Sequence, residues 1–266
     1  MARYSNVTDD RDYGSVTLPK YCSMEANVMT ALEQVDSVLT LSANRFAGRD
    51  ISLDRLIYDI ADSPLLKGGV FLAAYWWLWF EVDRDGVHGQ RRHVVVAILS
   101  GTVAAITSRL LQIALPFHLR PLHTPELGMR IPFGVDSLTL NDFSSFPSDH
   151  AVLFFALCVP LWKRSRWLGA AAFLWTALVI CLPRVYLGYH WTSDVIAGAV
   201  IGIALMLVLC RLIGATGLPD LVLRFGATHP PVFYAIAWLL TLEVAMLFAD
   251  LRHFLLDAAH LAKALA

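Results

Sequence analysis

The 266-residue chain is 57% hydrophobic and 16% charged, with a net charge of −1, whereas soluble domains are roughly half apolar and a quarter charged. Its apolar residues come in long blocks instead of amphipathic spacing, which points to one helical membrane domain. The near-neutral balance excludes the basic field that nucleic-acid binding requires.

In chain order, residues 1–24 form a polar segment. It contains Arg3, Asp9, Asp10, Arg11, Asp12 and Lys20 and no apolar core of a cleaved signal peptide. Residues 25–64 read as amphipathic, interfacial helices. Val28, Ala31, Leu32, Val35, Val38 and Leu39 share one side of 25–46, while Glu33, Gln34, Asp36 and Asn44 make a full span expensive. A membrane domain over 65–250 then holds about six candidate spans, at 65–80, 94–115, 151–162, 167–182, 195–213 and 231–248. The first carries Lys67 near one end and finishes in the aromatic run Tyr75-Trp76-Trp77-Leu78-Trp79-Phe80, as an interfacial belt does. Residues 251–266, with Leu251, Phe254, Leu255 and Ala258 at helical spacing, predict a C-terminal amphipathic helix. The expected fold is therefore all-α, a polytopic transmembrane bundle with amphipathic helices at both ends. Cys158, Cys181 and Cys210 lie in apolar blocks and read as small buried hydrophobes.

Lys and Arg accumulate on the cytoplasmic side of short loops. The 81–93 loop, with Arg84, Arg91 and Arg92, and the Lys163-Arg164-Ser165-Arg166 turn both read as cytoplasmic. The loops 116–145 and 183–194 then share the opposite face, and the chemistry collects there. Pro121 follows Arg120 directly after a span. Pro147 suits the first position of a helix whose free amides attract an anion. Arg184, His190 and Asp194 are spaced six and then four, which places His190 and Asp194 one helical turn apart.

These residue types make up the parts of a metal-free phosphoryl transfer. An imidazole held at one ring nitrogen by a carboxylate, as Asp194 can hold His190, can attack phosphorus with the other. His150 can protonate the leaving group and then activate water. Arg120 and Arg184 offer forked donors to non-bridging oxygens, and Ser148 adds a neutral one. Glu126, Asp136 and Asp142 lack the spacing of a metal site and read as solvated loop charges. No metal or other cofactor is expected.

Residues 94–213 resemble the type 2 phosphatidic acid phosphatase superfamily, also called the lipid phosphate phosphatase and vanadium haloperoxidase superfamily. Its pattern is Lys-x6-Arg-Pro, Pro-Ser-Gly-His and Ser-Arg-x5-His-x3-Asp, met here by Arg120 and Pro121, by Pro147, Ser148 and His150, and by Arg184, His190 and Asp194. The resemblance implies that His190 becomes phosphorylated, Asp194 supports it, His150 is acid and base, and Arg120, Ser148 and Arg184 bind phosphate. Ile113 stands where the family has Lys; Arg109, Gln112 and His118 are the nearby replacements, with Arg109 favoured because its stem can snorkel outward. Pro183 replaces the family Ser. Asp149 replaces Gly, and is expected to turn outward or to hold a neighbouring Arg or His, since a free carboxylate repels phosphate.

The run Ser-Phe-Pro-Ser-Asp-His-Ala further resembles the branch that includes bacterial undecaprenyl pyrophosphate phosphatases. It implies that lipid as substrate, the bilayer as partner, and a site on the periplasmic face of a bacterial inner membrane. Two other readings fit the same residues: a phosphotransferase that passes the phosphoryl group to an alcohol, and a transporter or scaffold whose ionisable groups line a path. His118 and His123 read as ordinary loop histidines, and Tyr186, Tyr189 and Trp191 as interface packing.

Overall fold

The computed structural model describes residues 20–81, 86–141 and 143–247. Most of the expected polar segment 1–24 and all of the expected helix 251–266 lie outside the described residues. The regular elements among the described residues are all helical, and the contacts divide the chain into a unit ending at Val35 and a main unit from Asp36 onward. Helix α1, Lys20–Asn44, runs through that boundary. It is followed by α2, Ile51–Asp62, whose start is capped by Asp50 accepting from the Ser52 and Leu53 amides at 2.7 and 3.0 Å. A wide π turn, Leu65–Gly69, leads into α3, Val70–Phe80, and α4 is Gly86–Ala114.

Central to the main unit is α5, Asp149–Arg164, in which ten of the eleven side chains from Ala151 to Leu161 are buried, Phe155 being the exception. A helix apolar on all sides must be covered on all sides. Helix α6, Arg166–Trp175, continues through a second π turn, Thr176–Cys181, into α7, Leu182–Tyr186. Helix α8 is Thr192–Gly214, α9 is Leu218–Thr228 and α10 is Pro230–Ala245. Three stretches are long and apolar enough to cross a membrane: His88–Ala114, Arg166–Tyr186 and Thr192–Gly214. Leu65–Phe80 and Pro230–Ala245 are shorter apolar helices.

Three features differ from the expected elements. The span expected to end at 182 runs on to Tyr186, so Arg184 sits on a helix and not in a loop. The π turn explains this. The Leu182 amide reaches back five residues to the Ala177 carbonyl, and a widened turn accommodates the following Pro183, which has no amide to donate. Pro147, expected at the first helical position, instead precedes the N-cap, because the Ser148 hydroxyl accepts from the Ala151 amide at 3.5 Å and closes the helix end itself. Helix α9 occupies a stretch where no element is expected.

The contact of α5 with α8 sets the site. Asp194, Gly198 and Gly202 recur every four residues and so share one face of α8. A Cβ on Gly202 would lie 2.1 Å from the Val152 carbonyl oxygen, and one on Gly198 would lie 2.8 Å from that of Ser148. Only glycine permits this approach, as small residues do between membrane helices. It draws the start of α8 against the start of α5, and the Ser148 amide donates to the Asp194 carbonyl at 3.2 Å.

At the opposite end of the bundle, Arg164 of the Lys163–Arg166 turn pairs with Glu81 at 2.9 Å. Arg91 and Arg92, expected in a loop, lie in the first turns of α4, and this basic segment shares one end with the 163–166 turn.

Candidate active site

At the other end, α2, the last turns of α4, the start of α5, α7 with the turn that follows it, and the outer loop line a cavity of about 280 Å³. Arg109, Arg120, Asp149, His150, Arg184 and His190 all line it. A larger cavity of about 510 Å³ between α3, α4, α9 and α10 is lined by side chains such as Trp79, Val95, Leu221 and Phe233 and contains none of these groups. Phosphoryl chemistry needs charge, so the smaller cavity is the candidate site.

His190 ends the turn after α7 and is 2% exposed. Its Nδ1–H donates to the Ser145 carbonyl at 2.9 Å, while Asp194 Oδ2 lies 3.7 Å from the same nitrogen. The direct acceptor is therefore a loop carbonyl, and the carboxylate expected to hold the ring stands behind it. Asp194 is wholly buried; its Oδ2 accepts from the Trp191 amide at 2.8 Å, and its Oδ1 is 3.5 Å from His118 Nδ1. Asp194 thus lies between two imidazoles. His118, expected to be an ordinary loop histidine, also lies 2.7 Å from the Ser145 hydroxyl.

Burial pushes the His190 imidazole below its ordinary value, against the pull of Asp194, so the ring is neutral. With Nδ1 protonated and donating, Nε2 carries the free lone pair. Contact with Asp194 raises His118 instead.

His150 is held differently. Its Nδ1–H donates to Asp149 Oδ1 at 2.7 Å, and its Nε2 accepts from Arg184 Nη2 at 2.5 Å. Asp149 Oδ2 takes Arg109 Nη2 at 2.6 Å, while Arg109 Nη1 donates to Gln112 Oε1 at 2.8 Å. Gln112 in turn donates to the Pro147 carbonyl at 2.8 Å. Asp149 therefore holds an Arg and a His at once, which cancels most of the repulsion that a lone carboxylate would exert on an anion.

The arginines divide their work. Arg120 donates through Nε to the Leu140 and Phe143 carbonyls at 3.3 and 3.1 Å, through Nη2 to Ser144 at 3.1 Å, and through Nη1 to Tyr189. It ties the 121–145 segment to the His190 turn and keeps two terminal N–H groups for a ligand. Burial lowers its pKa to about 10, which leaves it cationic at neutral pH. Arg184 is 8% exposed, and its Nε has no hydrogen-bond partner among the described residues. An unmatched buried guanidinium N–H is costly unless an anion completes it. Ser148 reaches the same end of the bundle, but its hydroxyl caps α5 and is not among the cavity-lining groups.

Five polar lining residues, Tyr58, Asp62, Lys67, Thr139 and Tyr189, lie outside the expected site set. For Lys67 a signal existed, because an ionisable residue in an apolar stretch marks function. Tyr58 and Asp62 had none, since α2 meets the site only through the tertiary fold. Buried Asp54 accepts from Tyr186 and from the Gly48 and Phe133 amides at 2.9 Å each. Asn44 donates to the Arg130 and Tyr186 carbonyls, both at 2.9 Å. These two side chains clasp the long outer loop to the end of α7.

Residues 93–218 match the PAP2 superfamily. The bacitracin transport permease protein BcrC of Bacillus licheniformis is 28% identical over 63% of this chain and 77% of its own length. The putative undecaprenyl-diphosphatase YbjG of Escherichia coli (strain K12) is 32% identical over 49% of this chain and 59% of its own length. LpxE of Aquifex aeolicus, a solved structure, superposes with a TM-score of 0.45 at 24% identity, covering 65% of this chain and 93% of that one. The segment that matches the PAP2 superfamily contains all three motif blocks, from Arg120 to Asp194.

Proposed function

We propose that this chain is a membrane lipid phosphatase working through a phosphohistidine at His190, on a prenyl diphosphate presented from the bilayer. The observation that carries the mechanism is the pair of imidazoles lining one cavity, His190 neutral with Nε2 unengaged and His150 with Nδ1 on a carboxylate. Nε2 of His190 attacks phosphorus as the bond to the leaving oxygen breaks. As the phosphate draws the Arg184 guanidinium off His150 Nε2, that nitrogen takes up a proton from solvent and passes it to the leaving oxygen as the bond breaks. His150, then neutral, takes a proton from water; the oxygen displaces the histidine nitrogen and returns His190 to its neutral form.

Arg184 and the two spare N–H groups of Arg120 receive the charge that builds on the non-bridging oxygens. Asp194 and the Ser145 carbonyl stabilise the cationic phosphoimidazole, Asp149 with Arg109 orients His150, and Ser148 fixes the helix start that carries it. The name of the YbjG relative, together with the Ser-Phe-Pro-Ser-Asp-His-Ala run, supports undecaprenyl diphosphate as substrate. Because the site lies opposite the two basic segments, we place it on the extracytoplasmic face of a bacterial plasma membrane.

The test is phosphate release by purified protein from undecaprenyl diphosphate, phosphatidic acid, phosphatidylglycerol phosphate and lipid A, in a metal chelator. Preferred turnover of the diphosphate is expected. Release only after a divalent metal is added, or a phosphorylated acceptor with no inorganic phosphate, overturns the metal-free hydrolytic reading.

A further inference from the structure

The cavity contains one cation to which no role has been given. Lys67 lies outside the 93–218 segment that matches the family, yet its side chain lines the cavity together with Arg109, Arg184, His150 and His190. Its backbone is held on three sides. The Leu66 carbonyl accepts from Trp175 Nε1 at 2.8 Å, and the Lys67 amide donates to the Ser63 carbonyl at 3.1 Å. Gly68 approaches α10 so closely that a Cβ there would lie 2.2 Å from the Ala245 carbonyl oxygen. The π turn is thus clamped between α6 and α10 and aims Lys67 at the site.

The Lys67 ammonium has no hydrogen-bond or ion-pair partner among the described residues, although Asp62 lines the same cavity. The other cations are engaged: Arg109 by Asp149 and Gln112, Arg120 by four carbonyls and Arg184 by His150. Ile113, at the position of the family lysine, is 81% exposed on the outside of α4 and is not among the cavity-lining residues. A side chain there points away from the chemistry. Arg109, favoured from the sequence as the replacement, has its charge matched by a carboxylate 2.6 Å away. The unmatched Nε of Arg184 marks the same cavity as one that an anion completes.

We propose that Lys67 is the phosphate-binding cation that stands in for the missing motif lysine, contacting a non-bridging phosphate oxygen of the lipid headgroup from the opposite side of the fold. A compact ammonium on a flexible stem suits such a point contact. The assignment rests on the phosphatase reading of the site.

The test uses the full-length chain in detergent, farnesyl diphosphate as substrate and orthovanadate as the phosphate mimic, with Lys67→Met and Lys67→Arg compared with wild type. Lys67→Met is expected to raise KM and weaken orthovanadate inhibition by about tenfold or more, the scale of one lost charged contact. Lys67→Arg keeps both within about threefold, and the thermal midpoints of both variants stay at the wild-type value. Lys67→Met with unchanged KM and unchanged inhibition, in an active wild-type background, overturns the role of Lys67 alone. Lys67→Arg as impaired as Lys67→Met overturns it too, since charge is then not what matters. Wild-type protein that releases no phosphate overturns the phosphatase reading and the Lys67 assignment with it.

Discussion

The two imidazoles of the site stand at the starts of neighbouring helices and are held in opposite ways. His190 donates from Nδ1 to a neutral carbonyl, with its carboxylate at 3.7 Å, whereas His150 donates from Nδ1 directly to a carboxylate at 2.7 Å. A neutral acceptor fixes the tautomer without making the ring strongly basic, which suits a nucleophile that must stay unprotonated. At His150 burial and the Arg184 guanidinium outweigh the upward pull of Asp149 and hold the ring well below the ordinary histidine value, so the proposed proton transfer needs the phosphate to draw Arg184 away. Asp149, which stands where the family pattern has Gly and by itself repels phosphate, holds and orients the second histidine while Arg109 balances its charge.

Breaking the first half should cost most. His190→Ala is expected to abolish phosphate release, by on the order of 10⁴-fold or more in kcat, with 32P-labelled protein no longer trapped on alkaline quench; full activity in that variant refutes the nucleophile. On the second half, His150→Ala is expected to lower kcat by roughly 10²–10⁴-fold. Asp149→Asn, which leaves the ring in place but removes its carboxylate, should cost about tenfold to 10²-fold. If Asp149→Asn equals wild type across pH 5 to 9, the difference between the two histidines has no functional meaning.

The contact that joins the halves can be tested without touching either ring. Gly202→Val, which forces a side chain onto the Val152 carbonyl, is expected to destabilise the fold by about 1–3 kcal/mol and to lower the thermal midpoint in detergent. A midpoint equal to wild type would mean that α8 slides freely on α5.

The smallest effect concerns pH. Because His190 is held below the ordinary histidine value, the acid limb of kcat/KM is expected below pH 6.5. His118 is raised, so its contact with Asp194 stabilises the fold fully below the unfolded histidine value and fades as pH rises through the folded one. His118→Gln should therefore lower the thermal midpoint more at pH 5.5 than at pH 8.5. Equal losses at both values would show that the His118–Asp194 contact carries no charge.

Much of the site could be read along the chain because its chemistry is written in short intervals. His190 and Asp194 lie four apart at a helix start, Ser148 and His150 two apart at another, and charge in an apolar block is rare enough to stand out. The pairing of Asp149 with a neighbouring Arg or His was legible in the same way, because an uncompensated carboxylate beside a phosphate site needs a cation. Spacing does not report which atoms meet. The Ser145 carbonyl as the partner of His190 depends on how the outer loop folds back, and backbone acceptors leave no mark in side-chain identity.

Local sequence by itself therefore determined most of the helices, though not α9 or the end of α7, together with the basic segments and the order of the motif blocks, since periodicity, charge and capping act within a few residues. Tertiary structure alone decided the rest. The glycine face of α8 set how closely two helix starts approach, the π turn carried Arg184 onto a helix, and the clamp between α6 and α10 brought Lys67 to the cavity. Each depends on packing between segments far apart in the chain, where geometric fit rather than residue spacing decides what touches.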